Sequence, residues 1–471
     1  MIAVAVAFPL FGALVAVLFR DTNARRAVRI VLAAVAACAP FAVVHQVDGL
    51  SFFFAVIVSV LGFLATVYST DMYSVRWTGD VFWSIKSVYF VLLGAFWSSM
   101  LLVVLAQGFG TLWFGIAATT LATAFLVGFS GEDAALEAAW KYLVLCSVGI
   151  GLALLGIVLL GGAALHAGVE PARALSWNAI AGLRPGANGV VHLATALMVI
   201  GFGTKAGIFP LHAWLPDAHS KAPAPISGLL SGVLVSCALY AIVRTLQVAG
   251  AWHDTATLHV LLVWFGAVSI AAAGILMLVQ RDLKRLLAYS TVEHAGIVVF
   301  ALGVGGRLGV TAALLHIVAH AFSKSGAFFV VGITLREAAT RGERGAALWA
   351  RTAGGRLMLL SLAALGGLPP FGLFVSEFLV AFAAIEARAW IPLALATAGV
   401  IIAFAALFRA GLQVGSTVDA GVPVPAAPGE RAPMNLSIAS AGVALTFAFG
   451  TAFVPWTGIG KALATIAEGI R

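Results

Sequence analysis

The sequence predicts an all-α polytopic membrane protein of about 14 transmembrane helices, with two inverted five-helix repeats and broken helices at spans seven and twelve. Three observations predict it: an apolar composition, apolar runs that recur along the whole chain, and two Pro- and Gly-rich interruptions five spans apart.

Of the 471 residues, 62% are hydrophobic and 10% charged, far from the roughly 45–50% apolar and 25% charged of soluble domains. Backbone groups in hydrocarbon must be paired within each segment, which selects helices, and the short alternating pattern of a membrane β-strand is missing. The net charge of +8 sits on single basic residues between apolar runs. It forms no aromatic-interleaved patch, so loop charges that orient the protein are expected and a nucleic-acid partner is not. Cys38, Cys146 and Cys237 lie within apolar spans without metal-ligand spacing, so no disulfide or zinc site is expected from them.

The spans fall at 1–19, 28–46, 50–69, 88–107, 111–129, 139–160, 190–209, 226–248, 259–279, 286–304, 310–334, 356–382, 390–410 and 434–455. The first is read as a retained helix, since Arg20, Arg25, Arg26 and Arg29 follow it rather than precede it. Loops after odd-numbered spans carry about 18 Lys and Arg against about 7 on the other side. The positive-inside rule then places Arg20 to Arg29, Gln280 to Arg285 and Arg336 to Arg356 in the cytoplasm of a bacterial inner membrane, with both termini on the other side. Four units follow: N-terminal helices 1–107, a first repeat 108–250, a second repeat 251–410, and 411–471, a cytoplasmic loop (Gly411 to Pro433) with the last helix.

Span seven runs into a stretch with Pro210, Pro216, Pro223 and Pro225, and span twelve contains Gly366-Gly367-Leu368-Pro369-Pro370. A continuous helix cannot survive either. Units five spans apart enter the membrane in opposite senses, the arrangement in which discontinuous helices line an ion path. The competing reading is that the prolines only kink lipid-facing helices.

Charges inside spans are costly and therefore informative. Lys205 lies one turn before the first break, and Glu377 one to two turns after the second. In span eleven His316, His320 and Lys324 are four residues apart on one helical face, a stripe about 12 Å long. Imidazoles that titrate near neutrality, ending at a desolvated amine, make a proton relay. Glu293 and His294 of span ten stand where they could feed or terminate it. The alternatives are core histidines with a snorkelling lysine, or a metal site, for which no third ligand is evident. His212, Asp217, His219 and Lys221 at the first break suit either a gate or a solvated loop. Glu137 and Lys141, spaced for a helical ion pair, suit either a proton inlet or an interfacial anchor. His192 is read as a core histidine.

These residues resemble a family. Gly203 to Gly207 with Pro210-Leu211-His212-Ala213-Trp214-Leu215-Pro216-Asp217-Ala218-His219 is similar to the signature of the proton-translocating, antiporter-like subunits of respiratory complex I and membrane-bound hydrogenases. His316, His320 and Lys324 fit that family's second-half relay, and Phe374 to Phe378 its broken-helix segment with the terminal ionisable residue. Leu136 to Leu143 and Ser236 to Tyr240 look most similar to the hydrogenase-4 F component. The resemblance implies a 14-helix core, no cofactor in this chain, and ion movement driven by partner subunits: other membrane subunits and a peripheral redox module. Protons are the expected ion, with Na+ the alternative. Two departures stand out, Ala117 where the family places a Glu and Ser236 where complex I subunits carry a Lys, so Lys205 is expected to lack its usual charge partner.

Catalysis by this chain is not expected: it has no G-x-G-x-x-G after a strand, no P-loop and no cysteine cluster. The rival functions are a proton-channel subunit of a bicarbonate or CO2-uptake complex with a peripheral carbon-uptake module, and a non-conducting scaffold for a peripheral enzyme.

Overall fold

Apolar segments long enough to cross a bilayer become helices, and the computed structural model shows little else; it describes residues 1–19, 22–72, 85–181, 189–251, 255–341, 352–415 and 435–470. The first six helices are α1 (Ile2–Val17), α2 (Thr22–Ala42), α3 (Gly49–Met72), α4 (Ile85–Val104), α5 (Phe109–Val127) and α6 (Asp133–His166). A short α7 (Trp177–Ala181) precedes α8 (Gly189–Ala206), α9 (Trp214–Lys221), α10 (Ala224–Leu229) and α11 (Val235–Ala251). The rest are α12 (Ala256–Leu278), α13 (Leu283–Val304), α14 (Gly306–Arg341), α15 (Ala353–Leu365), α16 (Gly372–Glu386), α17 (Trp390–Gly415), α18 (Asn435–Gly450) and α19 (Gly458–Glu468). No strand occurs among the described residues.

Each expected span falls on one helix or on helices meeting at an interruption, and among the described residues 11 helical segments are long and apolar enough to cross a membrane. The differences are instructive. At about 1.5 Å per residue α6 is roughly 50 Å long, so it outgrows the hydrocarbon core and carries Glu137 and Lys141 near its exposed start. The amphipathic helix α19 follows the last expected span and packs on α14. Residues 411–415, expected in the loop, continue α17; the rest of that loop, and residues 342–351 of the Arg336 to Arg356 connection, lie outside the described residues.

Both interruptions are built alike. α8 ends at Gly207 (φ 76°), where the Ile208 amide donates to the Gly203 carbonyl at 3.0 Å. α15 ends at Gly367 (φ 63°), where the Leu368 amide donates to the Ala363 carbonyl at 3.1 Å. This is the glycine-terminated helix end that satisfies orphan carbonyls through a left-handed residue, and each is followed by a cis peptide bond, Phe209–Pro210 and Pro369–Pro370.

The centre is formed by α10–α11, α13 and α14, almost wholly buried, while α6, α12 and α17 turn much of their surface outward. α14 packs against α10, α13, α15, α16 and α18. Close approach to α10 depends on Gly228 and on Gly232, which sits in a π-helical turn, Leu230–Leu234. A Cβ on Gly228 would stand 2.8 Å from the Phe329 ring, and one on Gly232 2.5 Å from the Ala321 carbonyl. Small residues four apart are the usual means of such contact in membranes. The π turn has no counterpart in the apolar pattern, because it changes the register without changing composition.

Candidate functional site: two buried polar clusters

The larger cluster lies where α13, α14 and α16 meet. His316, His320 and Lys324 share one face of α14 and are all buried, as their spacing requires. His294 of α13 inserts between the two histidines. Its Nδ1 is 3.1 Å from His316 Nε2, and its ring centroid is 5.3 Å from that of His320. His316 Nδ1 lies 3.0 Å from the Ser376 hydroxyl on α16. Glu377 follows Ser376 and folds back on the break: a Cβ on Gly367 would meet its Oε2 at 2.5 Å.

One donor atom each from His294, His316 and Glu377 lie within 4.8 Å of one another. The sequence offered no third metal ligand; the fold supplies Glu377, and a set of two imidazoles and one carboxylate of this size could also hold a divalent cation. Of the two residues expected to feed or terminate the stripe, His294 is placed in contact with both His316 and His320. Glu293, buried, does sit at the edge, within charge–charge range of Lys324 and Glu377.

Lys324 donates to the Leu287 carbonyl at 2.9 Å. The same carbonyl accepts from the Thr291 hydroxyl, which is 2.7 Å from Ser231 Oγ in the π turn. The larger cluster is thereby tied to span eight.

The smaller cluster surrounds Lys205. Its ammonium donates to Thr120 Oγ1 at 2.8 Å and to the Tyr142 hydroxyl, which is also bonded to Thr123. It lies 4.5 Å from the Tyr142 ring centroid. Neutral hydroxyls and an aromatic face replace a carboxylate, and Lys205 forms no ion pair among the described residues. Sequence reasoning missed Tyr142, Thr120 and Ser376. The available signal was Thr119, Thr120 and Thr123, hydroxyls gathered in an otherwise apolar span.

The residues of the first break are not one solvated loop. Asp217 joins a surface chain of charges, 3.2 Å from Arg285 and 3.8 Å from Lys141, which pairs with Glu137 at 2.5 Å. His212 stacks on Phe209 with centroids 5.2 Å apart. His219, by contrast, is buried on α9, a helix rather than a loop, with its ring stacked on Phe328. Neither of its ring nitrogens has a hydrogen-bond partner among the described residues, and it lies within charge–charge range of Lys324 and His320. Lys284 closes α9 by donating to the Ala222 carbonyl at 2.8 Å.

A further buried charge, Arg244, was not anticipated. Arg244 binds Asp48 at 2.6 Å, the Tyr240 and Ser51 hydroxyls and Gln247, tying α11 to the start of α3.

A helical membrane bundle with two broken helices, each beside a buried polar cluster, defines a class: the antiporter-like membrane subunits. Residues 106–403 match the family model described as "NADH:quinone oxidoreductase/Mrp antiporter, TM". A hydrogenase-4 component F homolog of Methylacidiphilum infernorum is 38% identical over 320 residues, 67% of each chain. Two solved structures share the fold. A chain of an archaeal respiratory membrane complex, the membrane-bound sulfane sulfur reductase, superposes with a TM-score of 0.82 at 20% identity, covering 100% of this chain and 97% of that one. A chain of Thermus thermophilus respiratory complex I gives 0.75 at 21%, covering 98% and 99%. The chain belongs to the NADH:quinone oxidoreductase/Mrp antiporter transmembrane family. It is an antiporter-like membrane subunit of the complex I and hydrogenase type.

Proposed function

We propose that this chain moves protons across the membrane along the line His219, Lys324 with His320, His294, His316 and Glu377. The observation that carries the reading is the direct His294–His316 contact at 3.1 Å, with Glu377 beside both rings and the His320 ring tilted against His294 at 5.3 Å between centroids. An imidazole can take a proton on one nitrogen and release one from the other, so adjacent rings pass charge without moving far. The Lys324 amine on the line and the Glu377 carboxylate at its end supply groups whose charge changes can be coupled. Glu293, near Lys324, balances its charge in the cycle.

Asp217, Lys141, Glu137 and Arg285 form a charged mouth beside α9, and His219 on that helix is the end of the buried line nearest it, with His212 preceding α9 as a gate. The loop-charge bias supports a cytoplasmic location for this mouth and for the loops after odd-numbered spans, in a bacterial inner membrane with both termini opposite. The like construction of the Gly207 and Gly367 interruptions supports an inverted pair of repeats, 108–250 and 251–410. Lys205 is the relay of the first half, held in reserve by hydroxyls where a carboxylate would drive its titration.

The relatives' names favour a redox-driven complex in which partner subunits hold the cofactors and other membrane subunits complete the assembly. The test is proton uptake by inside-out vesicles carrying the intact complex. Lys324→Met and Glu377→Gln should each abolish it while the complex still assembles, and full pumping by both variants would remove the reading.

A further inference from the structure

We propose that the crevice between α1, α2, α3 and α4 binds the phosphate of an acidic phospholipid headgroup. Arg29 of α2 points into it, its guanidinium carbon 3.8 Å from the centre of the Phe90 ring. Arg29 Nε and Nη2 are buried with no hydrogen-bond partner among the described residues, and so is the indole Nε1 of Trp97 on α4. Both side chains line the same cavity of about 30 Å³, with Pro9, Thr66 and Leu93. The one hydroxyl in that wall, on Thr66, is already donated to the Gly62 carbonyl. The crevice thus presents several free N–H donors and a positive charge to a space lined, among the described residues, by no carboxylate.

Two buried guanidinium nitrogens without an acceptor are costly, a cost that a bound anion would remove. The neighbouring arginines do not share the cost: Arg25 bonds the Phe19 carbonyl and Arg26 pairs with Asp71 at 2.6 Å. A cavity of this size takes about two water-sized groups, matching the two oxygens that a phosphate offers to the fork of an arginine. A lipid rather than a free ion is indicated by the surroundings. Of these helices, α1 turns Phe11 and Leu14 outward and α2 turns Val31 and Val35 outward, a surface for acyl chains, and basic pockets between transmembrane helices are recognised sites for anionic headgroups.

The experiment is native mass spectrometry of the delipidated complex after addition of phosphatidylglycerol, phosphatidylcholine or inorganic phosphate. Phosphatidylglycerol should be retained by the parent protein, with Arg29→Gln lowering occupancy by about fivefold or more. Trp97→Phe, which keeps an aromatic ring and removes the donor, should lower it by a smaller factor. Proton uptake should be unchanged in Trp97→Phe, since no residue of the histidine line is among those that line the crevice. Equal retention of phosphatidylglycerol by the parent and both variants would overturn the proposal. So would inorganic phosphate displacing the lipid at equal concentration, because the ion alone would then be the ligand.

Discussion

His294 and His316 face each other across the interface of α13 and α14 with 3.1 Å between ring nitrogens, and the Ser376 hydroxyl, 3.0 Å from the other nitrogen of His316, fixes the order of the chain. A proton on His316 has neighbours on both sides, so the polar line crosses from α13 through α14 to Ser376 on α16 as well as running along one face of α14.

Tyr142 is the main neutral partner of Lys205. Tyr142→Phe leaves the ring in place and removes one of two hydroxyl acceptors from a buried ammonium. The expected loss is about 1–3 kcal/mol of stability, read as a lower thermal unfolding midpoint of the purified complex. An unchanged midpoint would mean that Lys205 is neutral in the folded protein and needs no acceptor.

Gly232 sets the distance between the π turn and α14. Gly232→Leu forces a side chain against the Ala321 carbonyl, at a cost of about 1–3 kcal/mol for overpacking. Since Ala321 lies between His320 and Lys324, proton uptake should fall together with stability. Normal uptake in a destabilised variant would separate this contact from the path.

Asp48 gives a pH-dependent test outside the spans. Burial alone would raise the pKa of its carboxyl, but the Arg244 guanidinium and the Ser51 amide and hydroxyl outweigh burial and hold it below its ordinary value of 3.8. A carboxyl with a depressed folded-state pKa stabilises the fold above the ordinary pKa and loses that contribution as pH falls through the folded value. Asp48→Asn should therefore lower the unfolding midpoint at about pH 5–7, and the gap to the parent should close below pH 3.8. Because the Asp48 side chain is 45% exposed, the gap should be modest and shrink in high salt. A gap that persists at low pH would assign the effect to packing.

Much of this was legible in the residues. Apolar runs of membrane length have one stable solution, so the helices could be placed. The prolines and glycines at 207–225 and 366–372 mark where helices end because they remove donors or need positive φ. The i, i+4 spacing of His316, His320 and Lys324 fixed their shared face. Contacts between helices were less accessible: which helix stands opposite a face depends on small-residue packing such as Gly228 and Gly232, and His294 between His316 and His320 is a consequence of that packing. The hydroxyl cage of Lys205 went unread for a related reason, since Thr and Tyr in apolar spans often bond only their own backbone. Arg244 was overlooked because its partner, Asp48, is 196 residues away in sequence.

The central claim is that protons pass through the contact between His294 and His316. Its most direct test is the initial rate of proton uptake by vesicles containing the assembled complex with His294→Phe, a ring of similar shape without nitrogen. The line of contacts predicts a fall of about a hundredfold or more, the low end of what a positioned proton-transfer group contributes. A rate within about twofold of the parent, in a complex shown to be intact, would contradict it.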